Sequence, residues 1–185
     1  IDVETIIVKS AETSEFVKLA NNAWIDLNIA LAHDLARLSD NLDHDIDIIE
    51  VISAANSLKK GNSNVNILAP SNGVGGYCLT KDPLFASAIK QVLGYNSKFP
   101  LSTNAVVINK KMTSNVMSEI ENRFKKKIYC KKVLLIGVSY KEDTNDTRFS
   151  PAEKVYNFLK SRDCKLSFYD PIVNYWEYSK GFSVD

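Results

Sequence analysis

Lys132-Val-Leu-Leu-Ile-Gly137, four apolar residues between a lysine and a glycine, divides the 185-residue chain into two unlike parts. A short unbroken apolar run of this kind fits a buried parallel strand, because neither face alternates towards water. Pro151 to Arg162 reads as a helix, and Lys165-Leu-Ser-Phe-Tyr-Asp170 as a second strand closed by Pro171. Strand, helix and strand in that order open a βαβ unit. The chain ends at Asp185, too soon for a complete sheet, and the first strand does not lead into the G-x-G-x-x-G turn that cradles a dinucleotide.

Ahead of Tyr129 nearly everything reads as helix. Phe16, Ala20, Trp24, Leu27, Leu31, Leu35 and Leu38 recur at spacings of three and four, a stripe expected to face a core. Lys18 and Asn22 lie off that stripe, one turn apart on a common face. A polar break at Asp40 to Asp43 precedes a second helix near Asp45 to Ala55, and Asn56 to Asn66 forms an irregular connection. Pro83 to Val92 reads as a helix entered through a proline. A longer helix runs from about Leu101 to Lys126, with an apolar stripe of Leu101, Ala105, Ile108, Met112, Val116, Ile120 and Phe124. The expected organisation is a mainly α domain over 1–126, followed over 127–185 by the start of an α/β Rossmann-like domain.

The chemistry gathers in Gly73-Val-Gly-Gly-Tyr-Cys-Leu-Thr-Lys-Asp82. Glycines let a backbone take positive φ and approach a ligand closely, and Cys78 stands at the end of that turn with Lys81 and Asp82 beside it. A thiol becomes a nucleophile when neighbouring positive charge favours its thiolate. The bland alternatives are a glycine-rich turn beside an inert cysteine, a surface Lys18 beside an ordinary Asn22, and Asp82 as a helix cap before Pro83.

Composition narrows the classes. Hydrophobic residues make up 45% and charged residues 24%, ordinary for a globular chain, and the net charge of +1 gives no electrostatic hold on nucleic acid or acidic membrane. No apolar run is long enough to span a bilayer. Cys78, Cys130 and Cys164 show no CxxC or Cys/His metal spacing, which argues against a metal site and suits a reducing cytoplasm.

Three stretches together resemble the UDP-glucose/GDP-mannose dehydrogenase family. They are the cysteine turn, Ser14-Glu-Phe-Val-Lys-Leu-Ala-Asn-Asn-Ala-Trp24, and Gly137-Val-Ser-Tyr-Lys-Glu-Asp-Thr-Asn-Asp-Thr-Arg-Phe-Ser-Pro-Ala152. The chain departs from the family pattern at Thr80, Tyr140 and Phe149. The resemblance implies that Cys78, Lys18, Asn22 and Asp82 are catalytic, that Gly75 and Lys141 bind substrate, and that Arg148 meets the phosphate of an NAD cofactor. It further implies two hydride transfers from a UDP-sugar through a covalent thiol intermediate, and a homodimer formed through the helical domain. Nothing here resembles the family's N-terminal NAD-binding domain, so the chain is expected to be a piece of a larger dehydrogenase and inactive alone. Asn66-Ile-Leu-Ala-Pro70 resembles the UDP-N-acetylmannosamine branch, which serves polysaccharide synthesis, and Cys78-Leu-Thr-Lys-Asp82 leans towards the UDP-glucose branch. A two-electron β-hydroxyacid-type dehydrogenase and a non-catalytic dimerisation module are the competing readings.

Overall fold

A computed structural model of the chain describes residues 5–42, 45–60, 63–85, 88, 92, 94, 100–125 and 127–184. In order the elements are α1 (Ala11–Asp40), α2 (Ile48–Ser57), β1 (Lys59–Lys60), β2 (Ser63–Asn64), α3 (Tyr77–Lys81) with a 3₁₀ turn (Asp82–Leu84), α4 (Pro100–Arg123), β3 (Lys132–Ile136), α5 (Pro151–Lys160), β4 (Lys165–Tyr169), β5 (Tyr175–Trp176) and β6 (Gly181–Phe182). The helix expected over Pro83 to Val92 falls largely outside the described residues.

Helix α1 starts at Ser10, whose side chain accepts from the Thr13 amide, and α2 starts at Asp47, which accepts from Ile49 and Glu50. α1 packs chiefly along α4. The packing reverses the expected orientation. Phe16, Trp24, Leu31 and Leu38 are each about half exposed or more, while Asn22, Asp26, Asn28, Ala30, Ala32, His33, Ala36 and Ser39 are buried. Small side chains let α4 come close, and Asn109 of α4 bonds both Asp26 and His33 across the seam. On α4 the buried residues are Ala105, Val106, Asn109 and Thr113, of which only Ala105 belongs to the expected stripe. Trp24, Leu27 and Leu31, with Val65, Ile67, Leu101 and Ile108, instead line an open groove of about 860 Å³.

The second part forms the expected strand–helix–strand unit. β3 and β4 pair in parallel, Lys132 opposite Lys165 through Ile136 opposite Tyr169. Val155 and Leu159 of α5 pack with Ile128, Val133, Leu135 and Leu166 on one face. The other face is open, with Leu134 46% and Ile136 77% exposed. β3 is therefore half-covered, not buried on both faces as its composition implied. Beyond it, β5 and β6 form a small antiparallel ladder that the sequence did not reveal. Trp176 of that ladder is fully buried against Val138, Phe168 and Val173.

Candidate active site

The segment before the cysteine turn is held by two asparagines. Asn28 on α1 donates to the Asn66 carbonyl and accepts from the Leu68 amide, and Asn56 on α2 makes the matching pair with Ile67. Farther on, Thr113 of α4 donates to the Asn72 carbonyl at 2.9 Å. The turn itself needs glycine. Gly76 has φ +77° and opens α3. A Cβ at Gly75 would lie 2.6 Å from Tyr140 Cβ and 2.8 Å from the Phe149 carbonyl oxygen. The close approach that Gly75 permits is thus to the second part of the protein.

Cys78 lies exposed in the first turn of α3. Thr80 steadies that turn by donating to the Gly76 carbonyl at 2.8 Å. At the far end of α3 the Asp82 amide bonds the Cys78 carbonyl, and the Asp82 side chain turns inward. Its Oδ2 accepts from Nδ2 of Asn22 at 2.6 Å, and its Oδ1 accepts from Lys81 Nζ at 2.7 Å. Lys18 Nζ in turn donates to Asn22 Oδ1 at 3.1 Å. Lys18, Asn22 and Asp82 therefore form one line, with the short thiol-bearing helix docked on α1 through it.

Burial alone would raise the pKa of Asp82. The hydrogen bonds from Lys81 and Asn22, with the charges of Lys81 and Lys18, outweigh it and hold the carboxyl below its ordinary value. The Lys81 ammonium is raised, first by the hydrogen bond to Asp82 and in smaller part by the charge of Cys78.

Arg148 joins the turn from the other side. Its carbonyl accepts from the Gly76 amide at 3.1 Å, and its guanidinium lies 4.8 Å from the Tyr77 ring centre. Nε donates to Asp146 Oδ1 at 2.8 Å and Nη2 to Oδ2, leaving Nη1 without a hydrogen-bond partner among the described residues. That free edge on an exposed side chain fits a cofactor phosphate. Beyond Arg148 the described residues offer no dinucleotide cradle, since β3 runs into Gly137-Val-Ser-Tyr. Lys141 is exposed beside Tyr140 and makes no described contact with the Lys18–Asn22–Asp82 line. Sequence reasoning passed over Asp26, His33 and Asn109, and named Lys81 only as a charge beside Cys78 and Tyr140 only as a departure from the family pattern. The spacing of Lys18, Asn22 and Asp26, each four apart, carried the signal of a polar seam.

Cys78 thus lies on a short helix whose far end is held to α1 by the hydrogen-bonded Lys18–Asn22–Asp82 line. The chain belongs to the UDP-glucose/GDP-mannose dehydrogenase family: residues 12–111 match its central domain and residues 134–184 its UDP binding domain. It is 36% identical over 174 residues to the UDP-N-acetyl-D-mannosamine dehydrogenase of Methanococcus aeolicus, covering 94% of this chain and 37% of that protein. The structure resembles UDP-D-ManNAc dehydrogenase from Pyrococcus horikoshii with a TM-score of 0.73 and 32% identity, over 91% of this chain and 38% of the other. It also resembles the NDP-N-acetyl-D-galactosaminuronic acid dehydrogenase of Methanosarcina mazei, with a TM-score of 0.77 and 28% identity, over 91% and 37% of the two chains. The chain thus spans a little over a third of the length of these relatives.

Proposed function

We propose that the chain is the substrate-facing portion of an NAD-dependent UDP-N-acetylhexosamine 6-dehydrogenase, which converts the sugar's primary alcohol to the carboxylic acid. The observation that carries the reading is the docking of the Cys78 helix on α1 through Asn22 and Asp82. The N-acetylhexosamine preference rests on the named substrates of the similar proteins, and UDP-glucose is the alternative. Residues 1–126 are read as the catalytic helical domain and 127–185 as the start of a Rossmann-like UDP-binding domain.

NAD, when bound, takes up the hydride in each of the two oxidations. In both, oxygen on the reacting carbon gains negative charge, and Lys18 and Asn22 each keep N–H groups beyond those already engaged to stabilise it. The Cys78 thiol adds to the intermediate aldehyde, its sulfur bonding to carbon and a proton passing to oxygen. The second oxidation of that adduct leaves a thioester. Water then attacks the thioester carbon, the C–S bond breaks, and the thiol is restored as the acid departs. Asp82, held ionised and hydrogen-bonded on both oxygens, positions the cluster and the water, and is a weak base at neutral pH. Gly75 keeps the turn close to the second domain, Lys141 reaches a sugar hydroxyl, and the free edge of Arg148 meets cofactor phosphate.

The open groove between α1 and α4 is assigned to a second copy of the chain, giving a homodimer. Three free cysteines accord with a cytoplasmic setting. The test is NADH formation by the full-length protein on UDP-N-acetylmannosamine, UDP-N-acetylglucosamine, UDP-glucose and GDP-mannose. Turnover of the N-acetylhexosamines is expected, and exclusive use of UDP-glucose or GDP-mannose would overturn the preference. Activity on none of the four would overturn the dehydrogenase reading.

A further inference from the structure

Asp26 is a buried charge that the proposed chemistry leaves unused. It lies on α1 one turn beyond Asn22, is 1% exposed, and its Oδ2 has no hydrogen-bond partner among the described residues. Its Oδ1 accepts from Nδ2 of Asn109 at 2.7 Å, and the same nitrogen donates to the Asp26 carbonyl at 2.9 Å. Those two acceptors fix the Asn109 amide, so its Oδ1 faces His33 as an acceptor. His33 Nδ1 must then donate across the 3.0 Å contact, which leaves Nε2 to accept from the Ser71 amide at 3.2 Å. Burial, the largest influence on His33, lowers its pKa and favours this neutral form. The line continues into the turn, where Ser71 Oγ donates to the Gly73 carbonyl at 3.0 Å.

A second feature converges on the same residue. Asp26 lines a cavity of about 90 Å³ with Val74, Leu79, Thr80 and Thr113, directly behind the segment that bears Cys78.

We propose that Asp26 is a positioning residue for the Cys78 turn, acting through Asn109 and His33 on the backbone of residues 71–73. The inference rests on the reading of Cys78 as the nucleophile. A charged acceptor at the head of a buried chain strengthens each hydrogen bond behind it. Protonating it relaxes the hold on Ser71. The titratable groups that share its surroundings are His33 on α1, through Asn109, and Lys110 on α4 with Lys154 on α5, which line the same cavity. An asparagine at this position would keep the geometry of the chain without the charge, which makes the charge itself testable.

The experiment uses the full-length protein with Asp26→Asn, His33→Gln and His33→Leu. Two pH profiles are read from pH 5 to 8.5: kcat on the sugar that is turned over, and the rate of alkylation of Cys78 by iodoacetamide, followed by mass spectrometry of its peptide. Wild type should show an acid-side inflection in both that Asp26→Asn lacks. The kcat of Asp26→Asn should fall about tenfold with KM within about twofold, as expected when a hydrogen bond to a charged acceptor becomes one to a neutral acceptor. His33→Gln, able to donate and accept in the same directions, should fall less than His33→Leu. Profiles of Asp26→Asn that superimpose on wild type would overturn the proposal, as would equal losses in the two His33 variants. If no nucleotide sugar is turned over, the dehydrogenase reading fails and the alkylation profile still decides this one. If Asp26→Asn does not fold, the His33 pair decides it.

Discussion

Replacing Asp26 by asparagine should remove a pH dependence that this carboxyl imposes on the fold. Burial pushes its pKa from 3.8 to about 6, the hydrogen bond from Asn109 opposing that only in part. A carboxyl raised in the folded state favours folding in its protonated form. Its contribution is fully present below about 3.8 and is lost as pH rises through about 6. At about 1.4 kcal/mol per pH unit, ionising Asp26 costs the fold about 3 kcal/mol at neutral pH. His33 slopes the other way. Burial lowers its pKa from 6.5, so its contribution is present above 6.5 and is lost as pH falls through the folded value.

The two slopes are opposite in sign, so wild type alone reports only their sum. Subtraction separates them, because Asp26→Asn retains His33. The new amide oxygen can still accept from Asn109, while the amide nitrogen in place of Oδ2 adds a cost of about 1–3 kcal/mol as an unpaired donor. That cost does not vary with pH. The stability difference at one pH is therefore ambiguous and its slope is not. Unfolding free energy of the variant minus that of wild type, from urea denaturation of the full-length protein, should rise by about 2 kcal/mol between pH 4.5 and 8. A difference flat to within about 0.5 kcal/mol, or falling with pH, would refute the burial argument.

Cys78→Ser in the full-length protein should lower acid formation by orders of magnitude, because a hydroxyl is a far weaker nucleophile at its ordinary pKa; retained activity, measured as NADH release, would favour a two-electron reaction. Gly75→Ala should destabilise the protein by about 1–3 kcal/mol through overpacking against Tyr140 and Phe149, read as a lowered denaturation midpoint, and an unchanged midpoint would contradict the packing. Leu31→Glu, on the open groove, should yield monomers in light scattering while leaving circular dichroism unchanged. A dimer that survives this change would assign the groove to another occupant.

The sequence carried the βαβ order well, because Val133 to Ile136 is a short apolar run and Lys165 to Asp170 is a short strand pattern closed by Pro171. It carried the candidate site through Lys18, Asn22 and the glycine–cysteine turn, which combine local spacing with a recognisable motif. The orientation of α1 was not legible. Periodicity says which residues share a face, and it does not say whether an apolar face meets the chain's own core or lies open. Trp24 and Leu31 lie beside the groove, while the buried seam is made of residues such as Asn22, Asp26, Asn28 and His33, which count as polar in any hydropathy scan. Their burial depends on partners far along the chain: Asp82 for Asn22, Asn66 and Leu68 for Asn28, Asn109 for Asp26 and His33. Hydrogen bonds spanning such separations leave no local trace.

This inversion lets one helix carry both the seam with α4 and the donors of the candidate site. A seam of leucines would bind α4 tightly but offer no donors, and a hydroxyl or amide left unpaired there would cost about 1–3 kcal/mol. A seam in which most polar groups are answered by a specific partner fixes side-chain direction as well as distance. Lys18 and Asn22 stand at the open end of that seam, where Asp82 docks the thiol helix. Deeper along it, Asp26 and His33 reach the glycine turn from behind. From the opposite side Tyr140 and the Arg148 carbonyl press on Gly75 and Gly76. The Cys78 turn is thus clamped between the polar seam and the second part of the chain, so a change at Asp26 and a change at Tyr140 should disturb the same backbone from opposite faces.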